Sequence, residues 1–173
     1  MTRIPAPKNH PRQTQSRPNS PTLFGTSSTD EVDDRETPDK LFRELNKEFH
    51  FTIDVAASQA NTKCDRFYDL NANGLTKDWH NERVWCNPPY SDLAPWVSKA
   101  YHETNAEVIV MLLPANRTEQ PFWQLCVEPF RDRGGRLTTR FISGRLRFGN
   151  PGLKPTTGGA PFGSVLLVWR RQF

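Results

Sequence analysis

The stretch that most constrains this chain is Asn87-Pro88-Pro89-Tyr90, which follows the short apolar run Val84-Trp85-Cys86. Two consecutive prolines remove two backbone donors and fix two φ angles, so a strand cannot continue through them. Asn87 precedes a proline and is therefore restricted to an extended backbone. The sequence predicts a rigid strand end that presents a side-chain amide, a backbone carbonyl and an aromatic ring.

These three groups are suited to holding a planar base by its exocyclic amine. The amide oxygen of Asn87 and the carbonyl of Pro88 can accept the two amine hydrogens, while the Tyr90 ring stacks on the base. Ligands of open α/β sheets bind at the carboxyl ends of strands, which is where the tetrapeptide is expected. A proline-rich turn with a packed tyrosine explains the same residues, because proline and asparagine are common in turns.

Length and composition indicate one domain preceded by a tail. The 173 residues are enough for a hydrophobic core, and no run approaches the roughly 18 apolar residues of a membrane-spanning helix. Residues 1–33 hold five prolines and then an acidic cluster, which predicts a disordered tail before a domain at residues 34–173. The N-terminus lacks the apolar centre of a signal peptide.

The cysteines and histidines indicate neither a disulfide framework nor a metal centre. The three cysteines are odd in number and widely spaced, which favours a reducing cytoplasm. His80 and His102 have no partners at metal-ligand spacing. We therefore expect no metal and no membrane partner, and a monomer or weak dimer in the cytoplasm.

The net charge of +4 conceals a segregation of charge along the chain. Residues 30–114 are acidic overall, whereas residues 115–173 carry ten basic residues, nine of them arginine, and three acidic ones. An arginine-rich third indicates a polyanionic partner such as nucleic acid. A solvated arginine face is the alternative, and charge alone does not separate the two.

Helical and strand patterns alternate along the ordered part of the chain. Thr37 and Pro38 suit the cap and first position of a helix, and Ser91 and Thr118 are candidate caps of two more. Strands are predicted at residues 51–58, 84–86, 107–114, 137–143 and 164–169. The alternation predicts an α/β fold with a mostly parallel sheet that ends in an antiparallel pair. The connection between the last two strands is long enough to be functional or mobile.

Two further places could bind a ligand. Asp54 ends a β-rich run and is followed by Ala56-Ala57-Ser58, whose small side chains allow a nucleoside or amino acid to approach the backbone. A buried aspartate that caps the turn is the alternative. Asp78-Trp79 places an acid beside an indole, a pair that could bind an adenine ring or be purely structural. Asn116-Arg117-Thr118 follows the most apolar strand and forms a second candidate edge of the crevice.

Taken together, these segments resemble the phage-type DNA adenine-N6 methyltransferases, a Dam-like family. The likeness runs from about Thr37 to Val168. It rests on Thr37-Pro38, residues 54–57, residues 61–68, Gly74-Leu75 with Asp78-Trp79, Asn87-Pro88-Pro89-Tyr90, Leu112-Leu113-Pro114 and residues 144–148. The chain departs from the family in two places: Arg35 lies where a tryptophan often precedes Thr-Pro, and Ala56-Ala57-Ser58 replaces a glycine-rich loop.

The resemblance implies a Rossmann-like domain that transfers a methyl group from S-adenosylmethionine to the N6 amine of adenine in double-stranded DNA. It implies cofactor contacts from Thr37, Pro38, Asp54, Ala56, Asp78 and Trp79, and catalysis by Asn87, Pro88, Pro89 and Tyr90. The candidate DNA contacts, which hold phosphates or read bases, are Arg117, Arg140, Arg145 and Arg147.

Two other functions remain open on the sequence. Protein glutamine-amide methyltransferases use a similar Asn-Pro-Pro-Tyr clamp, and a remnant that binds DNA without catalysis would keep the same basic segment. The basic C-terminal third and the lack of a separate substrate-recognising domain favour DNA methylation over the first alternative.

Overall fold

The structure is a computed structural model that describes residue 33, residues 35–149 and residues 159–172. The predicted tail lies outside these ranges except for Asp33, and so does the central part of the predicted long connection, residues 150–158. Within the described ranges the chain forms helices α1 (Asp39–Phe49), α2 (Ala94–His102) and α3 (Pro121–Cys126) and strands β1 (Ile53–Asp54), β2 (Arg83–Cys86), β3 (Val108–Pro114), β4 (Leu137–Ile142) and β5 (Ser164–Arg170). None of these helices has the length and apolar character needed to span a bilayer.

The strands form one sheet in the order β1-β2-β3-β5-β4. Strands β1, β2 and β3 are parallel, whereas β5 runs antiparallel to both β3 and β4. This topology confirms the predicted α/β fold with a mostly parallel sheet that ends in an antiparallel pair. Because β1 to β3 are parallel, the residues that follow them meet at one edge of the sheet.

The helices cover the two faces of the sheet and divide the core into two clusters. Phe42, Leu45 and Phe49 of α1 pack on one face, against residues that include Trp85 and Val110. Helices α2 and α3 cover the other face, where their apolar residues pack against the alternate positions of the same strands. Strand β3 is buried along its whole length, as its continuous apolar run predicts.

The strand predicted at residues 51–58 is wrong in length, because β1 contains only Ile53 and Asp54. The Asp54 carboxylate accepts the backbone N–H groups of Ala56 (3.4 Å) and Lys63 (3.1 Å), which bends the chain out of the sheet. The backbone beyond the bend pairs with a neighbouring loop instead, since the Ala57 N–H donates to the Tyr68 carbonyl. Pairing with β2 ends one residue after Asp54, where the Val55 N–H donates to the Trp85 carbonyl (3.1 Å).

The three predicted helix caps are also wrong. Pro38, Leu93 and Gln120 occupy the cap positions, and none of them makes a side-chain capping bond. Thr37 lies one residue before the first of these positions. Ser91 instead contacts the carboxylate of Asp33. Pro121 lies in the first turn of α3, where a missing backbone N–H costs no helix hydrogen bond.

Candidate active site

A cleft of about 300 Å³ lies at the carboxyl ends of β1 and β2. Its lining comes from the segment before α1, the bend after β1, the turn-rich stretch before β2, the end of β2 with the corner after it, and Trp96 of α2. The predicted site residues among its lining are Thr37, Asp54, Ala56, Asn87 and Pro89. The sheet topology thus brings together groups that are 50 residues apart in the sequence.

The Asn87 side chain has a defined orientation at the edge of this cleft. Its Nδ2 donates a hydrogen bond of 2.6 Å to the backbone carbonyl of Arg35. A carbonyl only accepts, so the amide nitrogen must face Arg35 and the oxygen Oδ1 must face the other way. Oδ1 is buried and has no hydrogen-bond partner among the described residues. An unpaired buried acceptor costs about 1–3 kcal/mol, so we expect a ligand to supply the missing donor.

Tyr90 lies beside Asn87, outside the lining of the cleft, with its ring almost fully buried. The rings of Phe148 and Phe162 approach it edge-on, with centroids 6.0 and 5.8 Å away. Burial raises the pKa of the Tyr90 phenol, so the ring is neutral over the physiological range. Pro88 is buried behind the corner and fixes its backbone.

Asp54 forms the acidic end of the cleft. The carboxylate is almost fully buried, and burial raises its pKa to about 6, although the two N–H donors from Lys63 and Ala56 act in the opposite direction. Asp54 therefore both caps the turn after β1 and lines the cleft, so the two alternatives considered from the sequence do not exclude each other. At neutral pH the cleft holds a desolvated negative charge, which would attract a cationic ligand.

Gly74 provides a glycine beside the cleft, which the turn after β1, Ala56-Ala57-Ser58, lacks. It opens a 3₁₀ turn, Gly74–Thr76, and lines the cleft. A Cβ at this position would lie 2.1 Å from the Val55 carbonyl oxygen, so only glycine fits. The small residue needed beside the strand end comes from a different segment of the chain.

Lys63 joins the cleft to the segment before α1. Its ammonium contacts the carboxylates of Glu36 and Asp39, each at 2.7 Å, while its backbone N–H donates to Asp54. The Lys63 side chain is only 8% exposed. The bend after β1 is therefore tied to the residues that flank Thr37.

Three residues predicted as cofactor contacts do not line the cleft. Pro38 precedes α1, and its carbonyl accepts the N–H of Phe42. Asp78 accepts the backbone N–H of His80 at an exposed turn. Trp79 is fully buried and donates its indole N–H to the Gly74 carbonyl (3.1 Å), so it supports the glycine turn from behind. These contacts favour the purely structural interpretation of the pair, and the predicted cofactor contact stays a prediction.

The four candidate DNA-binding arginines lie in different surroundings. Arg140 forms a two-point ion pair with Glu48, near the end of α1 that is farther from the cleft, and its guanidinium lies over Phe49. This pairing gives Arg140 a structural partner, and its predicted contact with DNA stays a prediction. Arg145 and Arg147 are exposed on the segment that leads to Phe148, whereas Arg117 is half-buried outside the cleft lining.

Several residues of the site were missed by reasoning from the sequence. Trp96 lines the cleft and Phe162 packs against Tyr90, and neither carries a local signal of a ligand site. Lys63 also lines the cleft and lies within residues 61–68 of the family resemblance, but no role is predicted for it. Gly74 ends the run Asn71-Ala72-Asn73-Gly74, which is typical of a turn and does not by itself indicate a ligand contact. The sequence marks Arg35 only as a departure from the family pattern.

The described residues contain no cluster of three or more histidine, cysteine, aspartate or glutamate side chains placed to hold a metal ion. The cysteines, Cys64, Cys86 and Cys126, are all free thiols.

An α/β domain with an Asn-Pro-Pro-Tyr corner beside a cleft at the strand ends has the organisation of an amino-group methyltransferase. The chain belongs to the DNA N-6-adenine-methyltransferase (Dam) family, whose sequence model matches residues 25–173.

Two phage proteins described as DNA N-6-adenine-methyltransferases are similar to this chain. The protein of Escherichia phage T1 is 31% identical over 160 residues, which cover 84% of this chain and 66% of that protein. The protein of Haemophilus phage HP1 (strain HP1c1) is 34% identical over 95 residues, which cover 53% of this chain and 54% of that protein. The chain therefore spans less than two thirds of the length of either relative.

One solved structure that aligns with the chain is that of the 23S rRNA methyltransferase ErmE. The alignment covers 79% of this chain and 50% of that one, at 13% identity and a TM-score of 0.38. A likeness of this strength carries no argument about substrate or mechanism.

Proposed function

We propose that this chain transfers a methyl group from S-adenosylmethionine to the N6 amine of adenine in DNA. The observation that carries the proposal is the buried, unpaired Oδ1 of Asn87 at the edge of the cleft. An exocyclic amine would supply the missing hydrogen-bond donor. The family to which the chain belongs, and the description of its two phage relatives, support adenine in DNA as the source of that amine.

The cleft fits a cofactor of this kind. Its volume lies at the lower end of the range of small-molecule sites, about 300–1,000 Å³. Thr37, Asp54 and Ala56 would hold the cofactor, with Gly74 allowing it to lie close to the backbone. When bound, S-adenosylmethionine supplies a methyl group on a positively charged sulfur. The buried, ionised carboxylate of Asp54 favours such a positive charge.

Asn87 and Pro88 prepare the amine for reaction. The adenine amine is a weak nucleophile because its lone pair is delocalised into the ring. Accepting its two hydrogens at Asn87 Oδ1 and the Pro88 carbonyl favours a pyramidal nitrogen with a more localised lone pair. The same acceptors stabilise the positive charge that develops on the nitrogen, and they are already in place because the two prolines fix the corner.

The target adenine has to leave the duplex to reach this corner. Extrusion of a base costs a few kcal/mol of stacking and pairing. Stacking on an aromatic ring returns roughly 1–3 kcal/mol per base, which is the role we assign to Tyr90. Arg145 and Arg147, exposed on the segment that leads to Phe148, are the proposed phosphate contacts. We further propose that the enzyme acts in the cytoplasm, as a monomer or weak dimer.

The proposal is tested by incubating the purified chain and S-adenosylmethionine labelled in its methyl group with unmethylated duplex DNA, and separately with a cell protein extract. We expect the label in DNA, and N6-methyladenine after enzymatic digestion of that DNA to nucleosides. Label in glutamine side chains of protein would favour the amide methyltransferase. Binding of the cofactor without transfer to either substrate would indicate a protein that binds but does not catalyse.

A further inference from the structure

Arg35 lies in a cage of three aromatic rings. The carbon at the centre of its guanidinium is 5.9 Å from the ring centroid of Tyr90, 5.7 Å from that of Phe148 and 5.4 Å from that of Phe162. The near-equal distances place the cation between the rings rather than over one of them. Cation–π contacts of this kind favour the guanidinium group.

The backbone around Arg35 is held in front of the catalytic corner on three sides. The Asp33 carboxylate accepts the backbone N–H of Ser91 at 2.9 Å and also its hydroxyl. The carbonyl of Arg35 accepts the amide of Asn87. Glu36 and Gly149 exchange two backbone hydrogen bonds of 2.9 Å. These bonds direct the Arg35 side chain across the face of Tyr90.

The guanidinium therefore lies where the proposed substrate must bind. A purine whose amine reaches Asn87 Oδ1 and whose ring stacks on Tyr90 would overlap the position of the guanidinium. Tyr90 is only 5% exposed, so a base cannot stack on it until a neighbouring side chain moves. Phe148 and Phe162 pack against the hydrophobic core, whereas Arg35 has a long, flexible side chain whose charge is stable in water.

We propose that the Arg35 side chain occupies the target-base pocket in the absence of DNA and is displaced when the extruded adenine enters. This inference rests on the proposed function, and it assigns Arg35 a role in selecting what can enter the pocket. A flat guanidinium and a flat purine use the same ring faces, but only the purine amine also satisfies Asn87 Oδ1. A ligand that lacks that amine makes no hydrogen bond to Asn87 Oδ1, so it gains less binding free energy when it displaces the arginine.

The first test is Arg35→Ala. Because the variant no longer has to expel a cation from the cage, we expect its KM for duplex DNA to fall about 3- to 30-fold. The KM is measured at saturating S-adenosylmethionine, since Arg35 also lines the cofactor cleft. Arg147→Ala is the matched control, since it removes one exposed arginine outside the cage and should raise that KM. An unchanged or raised KM in Arg35→Ala would contradict the proposal.

The second test needs no DNA. Methylguanidinium, followed by the NMR signal of its methyl group, should bind Arg35→Ala at millimolar concentrations and should not bind the wild-type protein. A second substitution, Phe162→Leu, should weaken that binding, and sodium chloride at equal ionic strength should not compete. Equal binding to the wild-type protein and Arg35→Ala would overturn the proposal.

The two tests separate this inference from the proposed function. A wild-type protein that methylates no DNA would refute the function, and the methylguanidinium result would still decide whether Arg35 fills the cage. Methylation of DNA with no change of KM in Arg35→Ala would refute only the role of Arg35.

Discussion

Two polar groups at the cleft, the Oδ1 atom of Asn87 and the carboxylate of Asp54, are buried at a cost to the folded protein. Asn87 Oδ1 lacks a hydrogen-bond donor among the described residues, and the Asp54 carboxylate is desolvated. Groups of this kind are retained at functional sites because a ligand compensates for them. We expect removal of either group to weaken binding or catalysis and to relieve the cost of burying it.

Asp54→Asn tests this directly. The folded-state pKa of Asp54 is about 6, above its ordinary value of 3.8, so the folded protein binds the proton more tightly than the unfolded chain. The charge therefore costs nothing below pH 4, and its cost grows as the pH rises to about 6 and then stays constant. Between pH 4 and pH 7 we expect the unfolding free energy of the wild type to lose about 1–3 kcal/mol to this buried charge. Asp54→Asn should lack that loss, although its absolute stability is lowered because the amide keeps only one oxygen for the two N–H groups of Ala56 and Lys63.

The same variant should bind S-adenosylmethionine at least about tenfold more weakly at pH 7, because it lacks the carboxylate charge. Cofactor binding to the wild type should strengthen as the pH rises through 6. Urea unfolding and calorimetric titration at the two pH values measure both effects. Asp39→Asn is the matched control, since Lys63 lowers the pKa of Asp39 and its loss should destabilise the protein at pH 7. Tight, pH-independent cofactor binding by Asp54→Asn would contradict the role of the carboxylate.

Asn87 and Asp54 could be predicted from the sequence because each follows an apolar strand in a pattern with few structural meanings. Arg35 and Phe162 could not. They reach Tyr90 only because the sheet order brings the chain segments before α1 and before β5 to the same edge. Nothing local distinguishes an arginine that fills an aromatic cage from a solvated one.

At the scale of the element, the boundaries of strands and helices depend on contacts made far along the sequence. The buried strands β3 and β5 match their apolar runs almost residue for residue. Strand β1 is shorter than predicted because the Asp54 side chain bends the chain, and Ser91 does not cap α2 because it pairs with Asp33, 58 residues away. The local sequence therefore predicts which strands are buried in the core. The ends of the elements near the cleft depend instead on contacts with residues far away in the sequence.

The 3₁₀ turn at Gly74 is the element whose packing on β1 shapes the cleft. In Gly74→Ala the new Cβ would overlap the Val55 carbonyl oxygen, so the turn or the strand end has to shift. We expect a loss of about 2 kcal/mol or more in unfolding free energy, measured by urea denaturation, together with weaker cofactor binding.

Gly135→Ala is the matched control for that prediction. Its Cβ would meet only the Gln172 side-chain nitrogen, at 4.0 Å, so stability should stay within about 0.5 kcal/mol or rise slightly. Equal stability of both variants would show that the contact between Gly74 and Val55 does not constrain the cleft.

At the scale of the whole molecule, the arginine-rich C-terminal third divides into two groups. Arg140 and Arg170 lie against Glu48, where they neutralise a carboxylate and cover Phe49. Arg145 and Arg147 are exposed on the segment that reaches the aromatic cage. The sequence alone cannot separate these groups, since arginines of both kinds are spaced irregularly along the same acid-poor stretch.

The combined substitution Arg145→Ala with Arg147→Ala should weaken duplex DNA binding. The slope of log affinity against log salt concentration should become shallower by up to about 2, because each phosphate contact contributes roughly 0.9. Arg140→Ala should leave that slope unchanged and cost less than about 1 kcal/mol of stability. Fluorescence anisotropy at several salt concentrations measures the slopes. A smaller slope in Arg140→Ala alone would reverse the two assignments.

The central claim is that a proline-fixed amide oxygen binds the amine that receives the methyl group, and Asn87→Ala tests it most directly. The measurement is the single-turnover rate of methyl transfer to DNA, with the cofactor Kd determined on the same samples and Asn116→Ala, an exposed asparagine outside the cleft, as the control. The account predicts a rate reduced about 100- to 1,000-fold at an essentially unchanged Kd, and a control that matches the wild type. Transfer by Asn87→Ala at close to the wild-type rate would contradict it.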